Sequence, residues 1–136
     1  MAFRVFQGKT KFVYLPVTTS TAFVAGDLVE MTSGLVGLAD ADDTMVTGVI
    51  RHTIASTDSD YATARLVEIE VPVERHVIWE ANDLTGTFSA SDIGGEYGIS
   101  DANTLDQTET TAKLFLVTNF ISTSLVRGFL KINGGY

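Results

Sequence analysis

The sequence predicts an all-β chain, folded as a small barrel or sandwich of one domain. Three observations predict it. Apolar and polar residues alternate with a period of two in the middle of the chain, most clearly in "ARLVEIEVPVERHVIWEA". Short runs of Val, Ile, Leu and Phe are separated at fairly even spacing by Gly, Ser, Thr and Asp turn signals, as in barrels and sandwiches. No stretch carries an amphipathic helix of more than about two turns. With 136 residues, 45% of them hydrophobic and 19% charged, the chain has enough apolar content for one core and too little length for two.

The elements follow in order. The leader "MAFRVFQGKTKFVYLPVTTSTAF" mixes Phe3, Phe6, Phe12 and Tyr14 with Arg4, Lys9 and Lys11, then runs through Pro16 into β-branched and small residues. It reads as extended chain, and Pro16, lacking an amide hydrogen, suits an edge or a crossing point. Next come a strand at "DLVEM", a turn ending at Gly34, a strand at "LVGLA", a loop at "DADDT" and a strand at "MVTGVI". The segment "HTIASTDSDYAT" reads as a polar surface loop. In the alternating run, Val67, Ile69, Val71, Val73, Val77 and Trp79 share one parity and Glu68, Glu70, Glu74, His76 and Glu80 the other. That pattern predicts one long strand or two, bent near Pro72, with a buried apolar face and a wet glutamate face. Short strands and glycine turns follow in "TFSASDIGGEYGIS", a polar loop in "DANTLDQTET", and two closing strands in "AKLFLVTNFIS" and "LVRGFLKINGGY", where both faces have apolar residues to cover.

Charge narrows the partners. The net charge is −8, which disfavours direct contact with nucleic acid phosphates. The charge is uneven: residues 1–26 hold three bases and no acid, while the rest holds six bases and all seventeen acids, a net of −11. With no cysteine there is no disulfide and no thiolate site, compatible with synthesis in a reducing cytoplasm. No apolar run approaches a membrane span, and the first residues lack the continuous apolar region of a secretion signal.

A search for chemistry predicts no catalytic, metal or cofactor site. Asp40, Asp42 and Asp43 could offer oxygens to a hard cation, but the calcium-loop pattern is missing and a solvated acidic loop is the simpler reading. His52 and His76, the two imidazoles, lack zinc-ligand spacing, and no nucleophile elbow surrounds any serine. Glu68 with Glu70, or Glu74 with Glu80, on an alternating strand reads as a solvated face rather than a glycosidase pair. The glycine segments "SGLVGLAD" and "DIGGEYG" match no nucleotide fingerprint. Trp79 shares the apolar parity and reads as core before it reads as a sugar-stacking platform.

The stretch "PVTTSTAFVAGDLVEMTSGLVGLADADDTMVTGVI" resembles the capsid decoration, or cement, proteins of tailed bacteriophages, through Gly26, Asp27, Leu28, Val29, Gly34, Ala39, Asp42, Gly48 and Val49 in that order. Softer matches lie in "VPV" from Val71 to Val73, in "DIGGEYGIS" and in "VRGFLKI". The resemblance implies a β-tulip-like fold and a homotrimer on the outer surface of the virion capsid. It also implies an N-terminal arm on the major capsid protein that stabilises the expanded head. On that reading residues 1–16 form an extended arm and residues 17–136 a single β-rich domain. Phe3, Phe6, Phe12 and Tyr14 would supply apolar contact and Arg4, Lys9 and Lys11 would meet acidic residues of the shell; the competing expectation is that these aromatics complete the chain's own core. Rival functions are a tail tube or connector subunit, a carbohydrate-binding sandwich exposing Trp79 or Tyr97, and a hydrolase whose pocket joins His52 or His76 to a serine and a carboxylate.

Overall fold

The alternating run and the leader pair with each other over almost their whole length. In the structure, a computed structural model that describes residues 2–133, β1 (Phe3–Gln7) lies antiparallel to β7 (Ile78–Ala81), and β2 (Thr10–Pro16) lies antiparallel to β6 (Leu66–Pro72). The β2–β6 register is unbroken from Thr10↔Pro72 to Pro16↔Leu66, and the β1–β7 register slips once, between Val5 and Gln7. At the bend Gly8 takes φ +114, and a Cβ there would sit 3.0 Å from the backbone of Val77. A side chain at that position would be strained and crowded at once. The predicted bent strand is therefore two, β6 and β7, and the leader follows them around the corner.

This ribbon joins two sheets. One has seven strands in the order β1-β7-β12-β11-β9-β10-β8, where β8 is Leu84–Thr85, β9 Glu96–Asp101, β10 Thr104–Asp106, β11 Phe115–Ser122 and β12 Leu125–Leu130. The other has five strands in the order β2-β6-β5-β3-β4, with β3 at Leu28–Thr32, β4 at Leu35–Leu38 and β5 at Gly48–Ile50. Among the described residues, a single 3-10 turn, Ala90–Asp92, interrupts the strand pattern. The all-β expectation is met.

The five-stranded sheet curls into a small barrel. Just past Pro16, Val17 makes a parallel bridge to Val36 on β4, and the Thr18 N–H donates to the Val36 carbonyl at 2.8 Å. Pro16 sits at that crossing. One parity of each strand fills the barrel: Val29, Val36, Ile50, Val67 and Ile69 are buried there with Val17, under a plug made by the bridged pair Phe23 and Ile54. The larger core lies between the barrel wall, represented by Leu28 and Val49, and the seven-stranded sheet, which contributes Trp79, Ile99, Leu105, Phe115 and Val126. Backbone bonds also tie the two bodies, since Leu28 N–H donates to the Ala102 carbonyl and Phe3 N–H to the Gly26 carbonyl. The Gly-Asp pair expected to open a strand forms this junction: Asp27 is buried, and its carboxylate accepts the Val24 N–H at 2.9 Å.

Three expectations are corrected. The leader is not an arm separate from residues 17–136, because β1 and β2 are members of the two sheets and Phe3 is fully buried, 6.3 Å from the Phe115 ring. Burying a phenylalanine is worth about 2–3 kcal/mol, and paired strands satisfy backbone groups that a free arm leaves to water. The glutamate face is not uniformly wet: Glu70 and Glu80 are 5% and 4% exposed, whereas Glu74 is exposed. Strand alternation decides only that these side chains share a face; what packs over that face comes from strands distant in sequence. The bend also releases Val73 from the apolar set, leaving it 41% exposed.

Replacing Phe3 with alanine should lower the unfolding free energy by about 3–5 kcal/mol, measured by urea denaturation, while Phe12→Ala at an exposed position should cost under about 1 kcal/mol. A small loss for Phe3→Ala would show that β1 detaches without disturbing the core.

Candidate functional site

The outer surface of the leader is the first candidate. Pleating sends Phe3 and its parity inwards and turns Arg4 and Phe6 out, and on β2 it turns out Phe12 and Tyr14. Phe6, Phe12 and Tyr14 are 47%, 52% and 61% exposed, and Lys9 and Lys11 are exposed between them. Of the seven residues singled out in the sequence, Phe3 is withdrawn into the core. Arg4 stays at the surface with its Nε 2.6 Å from Glu80 Oε1. Phe6, Phe12 and Tyr14 form a strip along the outer side of the ribbon, with Lys9 exposed at its bend; Lys11 is exposed too, but has the β2 parity of Val13 and Leu15. Glutamate side chains of the alternating run help fix the strip, since the Lys9 N–H donates to Glu74 Oε1 at 2.8 Å and the Tyr14 hydroxyl donates to Glu68 Oε1 at 3.0 Å. That hydrogen bond, with the glutamate charge, raises the Tyr14 hydroxyl above its ordinary range.

Beneath Phe6 lies a buried ionic bridge. Glu80 accepts from Arg4 on β1 and, at 2.8 Å, from Arg127 on β12, and the Phe6 ring covers the Arg127 guanidinium at 3.5 Å. Burial pushes the Glu80 carboxyl up, but the hydrogen bonds from Arg127 and Arg4 outweigh it, and the group lies below the usual carboxylate range. Glu70 occupies the equivalent place in the barrel wall. Its Oε2 accepts from the Thr10 hydroxyl at 2.5 Å, and Arg51 Nε stands 3.0 Å from Oε1 as a charge contact without hydrogen-bond alignment.

A cleft that sequence reasoning missed opens on the same outer face, where the β6–β7 turn meets β9, β11 and β12. Its volume is about 390 Å³, its floor includes Leu116, Phe129 and Trp79, and its rim carries Arg75, His76 and Lys131. His76 adopts φ +64, a left-handed conformation that is uncommon for a residue with a Cβ, and its ring lies 5.2 Å from that of Phe129. Lys131 pairs with Glu96 at 3.3 Å. The only sequence signal was "ERH" at the bend of the alternating run, because the cleft is assembled from four separated segments. No serine lines it, and His52 lies elsewhere, exposed after β5. Trp79 is 1% exposed and offers no face to a sugar; Tyr97 is half-buried, with its hydroxyl donating to Asp92 at 2.7 Å.

The acidic loop brings in a residue that the sequence did not single out. Carboxylate oxygens of Glu30, Asp40 and Asp43 lie within 4.8 Å of one another, with Glu30 arriving from β3. Asp42 is not in this group; its N–H donates to Asp40 at 2.9 Å, and the Asp40 N–H donates to Asp43 at 2.9 Å. Two of the three carboxylates therefore shape the turn. Three ligands fall short of the roughly 6–8 oxygens a calcium ion takes. Burial, the hydrogen bond to Asp43, and the charges of Asp43 and Asp40 push Glu30 up to about 7.

Compared with known proteins, the chain matches no family model and no curated protein sequence.

Two outcomes follow from these carboxylates. Glu80→Gln should destabilise the protein by about 3 kcal/mol at neutral pH by leaving a desolvated guanidinium without its counter-charge. Because the Glu80 carboxyl is depressed, its contribution is present above the unfolded value and is lost as pH falls through the folded one. The gap between wild type and variant should therefore close in acid. Glu30 has the opposite sign: its raised value lowers stability as pH climbs from the ordinary 4.5 of a glutamate through about 7. Glu30→Gln should match wild type near pH 5 and exceed it at pH 8 by about 1 kcal/mol, the full shift being reduced by solvent screening. Urea midpoints across pH measure both.

Proposed function

We propose that this chain is a non-enzymatic decoration protein of a tailed-bacteriophage head, binding the major capsid protein on the outer surface of the shell and stabilising the expanded lattice. The observation that carries the reading is the exposed strip of Phe6, Phe12 and Tyr14 on a ribbon that also exposes the bases Lys9 and Lys11, in a chain whose net charge is −8. Such a strip suits a partner with apolar sites and acidic neighbours. The resemblance of Pro16 to Ile50 to decoration proteins supplies the choice of partner.

The mechanism differs from a flexible arm. A free segment loses backbone entropy when it docks, about 1–2 kcal/mol per residue. Strands β1 and β2 have already lost that entropy on folding, so adhesion starts from a pre-shaped surface. Phe3 then anchors the strip from behind, and Arg4 ties it to Glu80. A homotrimer would present three strips at once, and effective concentration would turn modest docking into durable attachment. Adhesion is the output, with neither cofactor nor nucleic acid taking part.

The test uses folded surface variants. Lys9→Glu with Lys11→Glu, and separately Phe12→Ser with Tyr14→Ser, should each weaken co-sedimentation with expanded, undecorated heads at least tenfold while leaving the urea midpoint nearly unchanged. Wild-type binding by both pairs would reject the strip as the shell contact.

A further inference from the structure

We infer that the cleft rimmed by Arg75, His76 and Lys131 receives the acidic loop 40–45 of a second copy of this chain. The cleft is the starting point. It has an apolar floor at Leu116 and Phe129, a rim with Arg75, His76 and the Lys131–Glu96 pair, and a volume of about 390 Å³. That is near the low end of the roughly 300–1,000 Å³ typical of ligand pockets, a size for a loop tip rather than a whole strand. Arg75 is exposed and enters no ion pair among the described residues. The Lys131–Glu96 pair is half-exposed on both sides, so it holds its partners weakly and can be re-partnered.

The occupant must therefore bring carboxylates together with apolar side chains. The same chain carries such a surface on the barrel. Asp40, Asp42, Asp43 and Glu30 crowd there with no basic partner in any described ion pair, and Met45, in the same loop, is 49% exposed. Methionine is suited to an aromatic floor, because its thioether is polarizable and its chain adaptable. The crowding that raises Glu30 would be relieved by incoming cations.

Within one copy the loop's acids make no ion pair with the rim, among the described residues. The loop's root is held where it is by the Val46 N–H donating to the Lys131 carbonyl at 3.0 Å and the Asn133 N–H donating to the Val46 carbonyl at 2.8 Å. The acids of the loop and the bases of the rim are opposite in charge, which suits contact between two copies. This inference does not depend on shell binding, since neither surface uses the strip of Phe12 and Tyr14.

The experiment is sedimentation velocity on the isolated full chain at low and high salt, with no capsids present. Self-association should be concentration-dependent and weaken as salt rises. A cleft variant, Arg75→Glu with Lys131→Glu, and a loop variant, Asp40→Lys with Asp43→Lys, should each weaken it at least tenfold. An equimolar mixture of the two variants should associate again, because the acidic loop of one then meets the basic cleft of the other, and the reversed pair is complementary too. Restoration also shows that both variants are folded. A chain that stays monomeric at every concentration and salt, association that neither variant weakens, or a mixture that fails to recover would overturn the assignment.

Discussion

The buried carboxylate of Glu80, held between Arg4 and Arg127, is the constraint on which the arrangement of the seven-stranded sheet turns. It lies on β7, and its two partners lie on the strands to either side, β1 and β12, directly opposite it in both registers. A desolvated carboxylate without partners is costly, so the bridge penalises any slip of either neighbour by one residue. A slip would also turn Phe3 out of the core and drive Arg4 into it. One ionic bridge thus reinforces the apolar pattern: the leader is held in the register that buries Phe3, and the Phe6 ring closes over Arg127 only in that register.

That register divides the leader's labour by parity. Side chains facing inwards fasten the ribbon, with Phe3 in the main core and Val13 and Leu15 against the barrel interior. Those facing outwards, Phe6, Phe12 and Tyr14, are left for a partner. Anchoring and adhesion, which compete in a free arm, are here assigned to opposite faces of one ribbon. Because the ribbon runs through both sheets, a load applied to the strip passes into both cores, an arrangement suited to a protein whose proposed work is mechanical.

Electrostatics adds a second level of organisation. The net charge of −8 describes no single face of this molecule. Arg4, Arg75, Arg127 and Lys131 gather on the outer face of the seven-stranded sheet or at its rim, against Glu80 and Glu96, while the barrel's β3–β4 side carries Glu30, Asp40, Asp42 and Asp43. A chain with segregated charge attracts a copy in some orientations and repels it in others, so orientation is selected before close contact forms. The acids of the loop after β4 shape a turn first, through Asp40 and Asp43, and acquire any further role only through what docks on them.

By itself the sequence determined the local structure: the all-β class, the β3–β4 hairpin at Gly34, a bend near Pro72, an edge or crossing at Pro16 and the burial of Trp79. Each follows from a period of two, a turn residue or a missing amide hydrogen, all of which act over a few residues. The tertiary structure alone decided which strands became neighbours, and with that whether Glu70 and Glu80 met water or arginine, whether Phe3 joined the core or hung free, and whether Glu30 stood beside Asp40 and Asp43. The cleft belongs to the same class, built from residues more than fifty positions apart. Alternation states that two side chains share a face; only the pairing of distant strands, set by burial over the whole chain, determines what that face touches.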